Sequence, residues 1–405
     1  MVLKQGLAQN RQLVLQHVRV INVLNGGLSG EVTVTISGNR ITGISKTARP
    51  LPGATVMDAK GKYLIPGLWD MHVHLSYYGA GALPMLVANG ITGVRDMGGD
   101  LGQIDQWRAA IAAGTLSGPR IKRAGPFIDG PKSMNALRAS FTCTPADEAA
   151  VRLLVDSLQH AGADFLKVHS RLPHALFLAL VDQARKQHIP VAVHLPRDVP
   201  PQEAVLTGIR SIEHTESLLG DVIYNEEEAA REQHTAAALK KLYGGYARQL
   251  AISMAAKQIF YDPTLISLYR LRGTAYEETL GPRLLPVVTA LHQAGVKLLT
   301  GSDFAWKEAG IRPGYDLHGE LALFCKAGLS PLEALQAATI HPAECLYMTD
   351  SVGVVEEGKI ADLVILNANP LKDIRHTKNI YAVILNGRYL GRDTLHAMLG
   401  KAGGE

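Results

Sequence analysis

Tyr63-Leu64-Ile65-Pro66-Gly67-Leu68-Trp69-Asp70-Met71-His72-Val73-His74 is an apolar run that ends in two histidines spaced by one residue. It reads as a β-strand, expected over Leu64–Leu75. Residues two apart in a strand share a face, so His72 and His74 can converge on one metal ion. At helical spacing they would diverge.

Outward from this strand the chain alternates. Further strands are expected at Ile91–Met97, Arg120–Phe127, Phe165–Val168, Val191–His194, Ser211–Glu213, Ile259–Asp262 and Lys297–Thr300. Helices are expected at Pro145–His160, Leu176–Gln187, Asp316–Ala327 and Pro331–Cys345, with Pro145 and Pro331 at N1 after the N-caps Thr144 and Ser330. Eight strand–helix repeats over about 280 residues have the size of an α/β fold of the (β/α)8 TIM-like barrel type. No GxGxxG follows the first strand, which disfavours a doubly wound dinucleotide-binding sheet.

His194 ends one predicted strand, His214 follows another, and Asp303 follows the last. With His72 and His74 they all sit at C-terminal strand ends, where barrel enzymes keep their chemistry. Imidazole and carboxylate suit zinc and similar divalent ions. Taken singly, each histidine reads as a hydrogen-bonded core residue. Their shared placement at strand ends is what favours a metal site.

Both chain ends differ from the middle. Residues 12–58 and 352–396 carry short alternating apolar runs separated by turns such as Asn25-Gly26-Gly27 and Asn386-Gly387. They predict one small β-sandwich built from residues 1–65 and 349–405, flanking a metal-binding barrel over 66–348. Residues 221–257 are too long for an ordinary connection and predict an inserted helical segment, a lid or a self-association surface for a homo-oligomer.

Composition excludes other classes. The chain has 405 residues, 41 Lys+Arg against 37 Asp+Glu, and a net charge of +4. That field is too weak to argue for nucleic acid. Three cysteines cannot form a disulfide framework. No apolar run approaches the ~20 residues of a membrane span. Met1–Arg11 has no apolar core, so it does not read as a signal peptide. A cytoplasmic protein is expected, or a periplasmic or secreted one if a leader has been removed. The partner to expect is a small-molecule substrate, without nucleic acid or membrane. Cys143 has no His/Asn pattern around it that would make it a nucleophile.

The opening stretch and the histidine order resemble the amidohydrolase superfamily of metal-dependent hydrolases. Gly358-Lys359-Ile360-Ala361-Asp362-Leu363-Val364 resembles the strand that closes that family's small β-sandwich. Ser211-Ile212-Glu213-His214, Asp262-Pro263-Thr264-Leu265 and Leu317-His318-Gly319-Glu320-Leu321 are similar to the imidazolonepropionase-like and Xaa-Pro dipeptidase-like branch. The resemblance implies a further ligand, Lys167, as the N6-carboxylysine that bridges two metals. An ammonium cannot bind a cation, whereas a carbamate offers two anionic oxygens, and a desolvated lysine more readily supplies the free amine that captures CO2.

The implied centre holds two divalent metal ions, with zinc first and Mn, Co or Fe as alternatives. One takes His72, His74, Asp303 and the Lys167 carbamate; the other takes the carbamate, His194 and His214. The implied reaction is attack of a bridging hydroxide on an amide C–N bond, with Asp303 moving the proton. A dipeptide or N-acyl amino acid is the expected substrate. A cyclic amide, a lactone or a phosphotriester at the same metals is the alternative, and a non-catalytic metal-binding barrel is the rival of another class.

The chain departs from the branch at two places. His194-Leu195-Pro196-Arg197 replaces a His-Ala-x-Gly-like run, and His214-Thr215-Glu216 stands where relatives often have His-Gly. Candidate substrate contacts are His169, Arg171, Arg197 and Tyr224. His318 and His341 are expected to be structural.

Overall fold

The computed structural model describes residues 12–401 except 48, 132, 134–140, 219–236, 238–239, 241–244, 271–280 and 306–311. The first strands are β1 (Leu13–Ile21), β2 (Leu28–Ser37), β3 (Arg40–Ser45), β4 (Thr55–Asp58) and β5 (Tyr63–Pro66). A second series follows: β6 (Leu68–Val73), β7 (Ile91–Asp96), β8 (Arg120–Arg123), β9 (Phe127–Ile128), β10 (Thr142–Cys143), β11 (Leu166–Val168), β12 (Val191–His194), β13 (Ser211–Glu213) and β14 (Phe260–Asp262). The chain closes with β15 (Leu363–Leu366), β16 (Ile380–Leu385) and β17 (Arg388–Leu390).

β6 to β14 are parallel wherever they pair, and helices alternate with them, which is the α/β pattern expected from sequence. They form two sheets, β6-β7-β8 and β10-β9-β11-β12-β13-β14. Residues 298–304 join β14 to β6 through parallel bridges, Leu298 to Tyr261 and Phe304 to Val73. The strand expected at Lys297–Thr300 is therefore reduced to single bridges, and Arg120–Phe127 is divided between β8 and β9. The strands are almost wholly buried and rich in Ile, Val and Leu, as parallel strands covered by helices must be.

The other sheet takes strands from both chain ends in the order β17-β16-β15-β5-β1-β2-β3, with β4 on β1. β5 pairs antiparallel with β15, Tyr63 opposite Leu366 and Pro66 opposite Leu363. The strand expected at Leu64–Leu75 is thus two strands in different sheets, parted at Gly67. A Cβ on Gly67 would lie 2.0 Å from Thr92 Oγ1, so only glycine lets the chain cross there.

The helix expected from Pro145 begins at Glu148, because Asp147 is the cap: its side chain accepts from Ala150 N at 2.8 Å. Pro331 does stand at N1, behind a Ser330–Glu333 capping box. Its helix ends at Ala337 and a second one spans Ile340–Cys345. Between them Thr339 leaves helical geometry and donates its hydroxyl to Leu335 O at 2.7 Å, a local competitor of the helical ladder. Within 221–257, Ala247–Ala256 is a helix whose apolar residues Leu250, Ala251 and Met254 are fully buried in the main core. That face is spent on packing inside the molecule; most of the rest of 221–257 lies outside the described residues. Among the described residues, no helix is long and apolar enough to cross a membrane.

Replacing Gly67 by alanine forces Cβ into Thr92. The Gly67→Ala variant is expected to lose about 1–3 kcal/mol of stability in urea unfolding, as overpacked cores do.

Candidate metal centre

Parallel strands deliver six side chains to one place. His72 lies in β6 and His74 just beyond it; Lys167 is central in β11; His194 ends β12; His214 follows β13; Asp303 precedes Phe304. Asp303 Oδ1 lies 3.3 Å from His74 Nε2 and 3.6 Å from His72 Nε2, and Oδ2 lies 4.0 Å from His214 Nδ1. The rings of His72 and His214 are 4.5 Å apart, and those of His194 and His214 are 4.8 Å apart. Ligand atoms of His72, His214 and Asp303 all fall within 4.8 Å of one another, close enough to share one ion.

Backbone strain aims two of these groups. His214 and Asp303 have φ of 67° and 52°, left-handed values that non-glycine residues seldom adopt and that cluster at functional sites. Hydrogen bonds hold both: His214 N donates to Asp262 O and Asp303 N to His72 O, each at 2.8 Å. Gly301 makes room beside them, since a Cβ there would come within 2.5 Å of His72 Cβ and of an Asp262 carboxylate oxygen.

Burial sets the protonation. It pushes His72, His194 and His214 well below the usual imidazole range, and the positive field of Lys167 adds to the effect at all three. The neutral form, which can bind a cation, is therefore favoured in all three. Lys167 is 1% exposed, and its Nζ is buried without a hydrogen-bond partner. Burial pulls it down to about 8, against the opposing fields of Glu213, Asp303 and Asp262. A sizeable neutral fraction therefore exists near pH 7.

Beneath these groups lies an ionic layer that sequence reasoning did not find. Arg95, 2% exposed, donates to Glu213 Oε2 at 2.7 Å, Ser211 Oγ at 2.9 Å and Met71 O at 2.7 Å. Glu213 Oε2 also lies 3.3 Å from His72 Nδ1, which leaves Nε2 turned toward Asp303. Such carboxylate–histidine contacts orient metal-ligating imidazoles. Asp262 lies 3.6 Å from Arg95, and burial, reinforced by Glu213, drives its carboxyl far above the usual range. Asp70 accepts from Ser302 N at 2.9 Å and from its hydroxyl at 2.5 Å, and Thr264 Oγ1 pairs with His214 Nδ1 at 2.8 Å. The available signal was a charged residue inside an otherwise apolar strand: Arg95 in β7, Glu213 in β13, Asp262 in β14.

The other candidates divide. His169 stacks beside His194 with centroids 4.8 Å apart, and its Nδ1 faces Asp129 Oδ2 at 3.3 Å. The charge of Arg197 reaches His194. Arg171 donates its backbone N–H to Asp129 at 2.8 Å, and its guanidinium touches none of the six groups among the described residues. Tyr224 lies outside the described residues. Glu216, unassigned from sequence, is buried with Oε1 3.7 Å from His214 Nδ1, and burial raises its carboxyl to about 8. Phe127 and Tyr77 wall the side next to His74, with centroids 5.3 and 5.7 Å from its ring. His318 is structural as expected, bound to Thr377 Oγ1 and Asn89 O.

The fold and the site define a class, an α/β scaffold of parallel strands with potential metal ligands gathered at one place. The amidohydrolase family model matches residues 63–390. The chain belongs to the amidohydrolase family, hydrolases acting on carbon–nitrogen bonds. It is 40% identical over 81 residues to imidazolonepropionase of Pseudomonas putida (strain GB-1), a match that spans only 20% of either chain. Over 363 residues it is 25% identical to imidazolonepropionase of Symbiobacterium thermophilum, covering 80% of this chain and 79% of that one. A crystal structure of a prolidase complexed with N-methylphosphonate-L-proline superposes with a TM-score of 0.76 at 24% identity, covering 94% of this chain and 100% of the other.

Two outcomes follow from this geometry. Arg95→Ala strands Glu213 without its counter-charge and is expected to cost about 3–5 kcal/mol in urea unfolding. The Lys167 amine loses its proton as pH rises through about 8. At fixed dissolved 13CO2 a carbamate NMR signal should therefore grow from pH 7 to 9 in the wild type, and Lys167→Ala should show none.

Proposed function

We propose that this chain is a binuclear metal-dependent hydrolase that cleaves the amide C–N bond of a dipeptide or N-acyl amino acid. The observation that carries the reading is the convergence of imidazoles on Asp303 beside a buried lysine amine without a hydrogen-bond partner. Structural polar groups in a core are normally satisfied. A donor set of this kind, left open around one space, fits divalent cations, with zinc first by ligand chemistry and Mn, Co or Fe as alternatives.

His72, His74 and Asp303 would hold one ion, His194 and His214 the other, and carboxylated Lys167 would bridge them. When bound, the metals supply an activated water and polarise the scissile carbonyl. Asp303 accepts the water's proton on its carboxylate and delivers it to the leaving nitrogen. Its side chain is 25% exposed, against 0% for His72 and 9% for His74, so it is the group best placed to meet both water and substrate. Glu213 and Thr264 hold the rings of His72 and His214 in register. Arg197 is the favoured partner for a substrate carboxylate, with His169, Arg171 and Tyr224 as further candidates.

The bridges at Leu298 and Phe304 support closure of the parallel strands into a (β/α)8 barrel over 66–348. The sheet shared by both ends supports a β-sandwich from 1–65 and 349–405.

The test is a mass-spectrometric panel of dipeptides, N-acyl amino acids and cyclic amides with zinc-loaded, bicarbonate-treated protein. Turnover of linear amides bearing a free carboxylate is expected. Turnover of cyclic amides alone would move the bond to a ring. Asp303→Asn should lower kcat by about 10²–10⁴-fold at measured metal content; an unchanged kcat would remove Asp303 from the chemistry.

A further inference from the structure

Glu216 follows His214 by two residues, and its carboxyl group reaches the same cluster of side chains. Its Oε1 is 3.7 Å from His214 Nδ1, the same nitrogen that Asp303 Oδ2 approaches to 4.0 Å. The two carboxylates therefore flank one atom. That nitrogen already pairs with Thr264 Oγ1 at 2.8 Å, so Glu216 is not needed to orient the ring. Glu216 is 6% exposed, and its Oε2 is buried without a hydrogen-bond partner. Such a group is costly in a folded protein. It makes physical sense where a ligand completes it, and an arriving ammonium supplies the opposite charge that a buried carboxyl lacks.

We propose that Glu216 is a specificity-determining residue that accepts a hydrogen bond from the free α-ammonium of a dipeptide substrate, so that dipeptides are preferred over N-acyl amino acids. This rests on the linear-amide reading above and chooses between its two substrate classes. An N-acyl group has no cation to offer, so its amide end leaves Oε2 without a charged partner.

The experiment is calorimetric binding to the zinc-loaded holoenzyme. The probes are a phosphinate isostere of an alanine dipeptide, which resists hydrolysis, and its N-acetyl counterpart. The wild type should bind the free-amine form at least about tenfold more tightly, as a charge-assisted hydrogen bond implies. Glu216→Gln should abolish that preference while leaving N-acetyl affinity and metal content unchanged. Glu216→Asp, which keeps the charge one methylene further back, should retain part of the preference. A wild type indifferent to the amine would overturn the proposal, as would equal weakening of both ligands in Glu216→Gln. Loss of metal from Glu216→Gln would also overturn it, by making Glu216 a ligand. If no linear amide is turned over but the amine preference exists and depends on Glu216, the recognition stands and the assigned bond is wrong.

Discussion

A lysine amine buried without a hydrogen-bond partner is the constraint around which the site is arranged. Lys167 is 1% exposed, in the middle of the short parallel strand β11, and its Nζ has no hydrogen-bond partner. Desolvation disfavours its ammonium form, and the fields of Glu213 and Asp303 only partly restore it. The amine also disfavours protonation of His72, His194 and His214. Their own burial is the larger cause of their neutrality, and the charge of a protonated Lys167 adds to it. Conversion to a carbamate would invert its sign and turn the same field from repelling cations to attracting them.

The rest of the architecture holds that arrangement still. Arg95 and Glu213 sit below His72, and Asp70 clamps the segment that ends in Asp303. Left-handed backbone at His214 and Asp303 turns their side chains inward. These are strained or ionic features in a core that is otherwise aliphatic. They persist because hydrogen bonds over-determine them. A site assembled from five strand ends needs such bracing, because no single element fixes the distance between donors.

The candidates other than Lys167, which only the family resemblance supplied, were legible because each one is marked locally. A strand that ends in His72-Val73-His74 announces its spacing, and His194, His214 and Asp303 each close a short apolar run. The ionic layer was not legible because its partners are remote. Arg95 meets Glu213 across 118 residues, and Asp70 meets Ser302 across 232. Nothing in either local sequence names the other. The division of Leu64–Leu75 has the same origin, since the apolar pattern runs on through Gly67 while the contact with Thr92 that parts the strands is tertiary. Helix ends were misread where two caps competed, as at Thr144 and Asp147. The α/β class survived these errors because it depends on the alternation of strands and helices and not on their limits.

The central claim is a pair of metals bridged through Lys167. It is tested most directly by an anomalous-difference map at the zinc edge, from crystals of the zinc-loaded, bicarbonate-treated protein. The account predicts two peaks, one among His72, His74 and Asp303 and one between His194 and His214, with density for a carboxylate on Lys167 Nζ reaching both. A single peak, or two peaks beside an unmodified lysine amine, would contradict it.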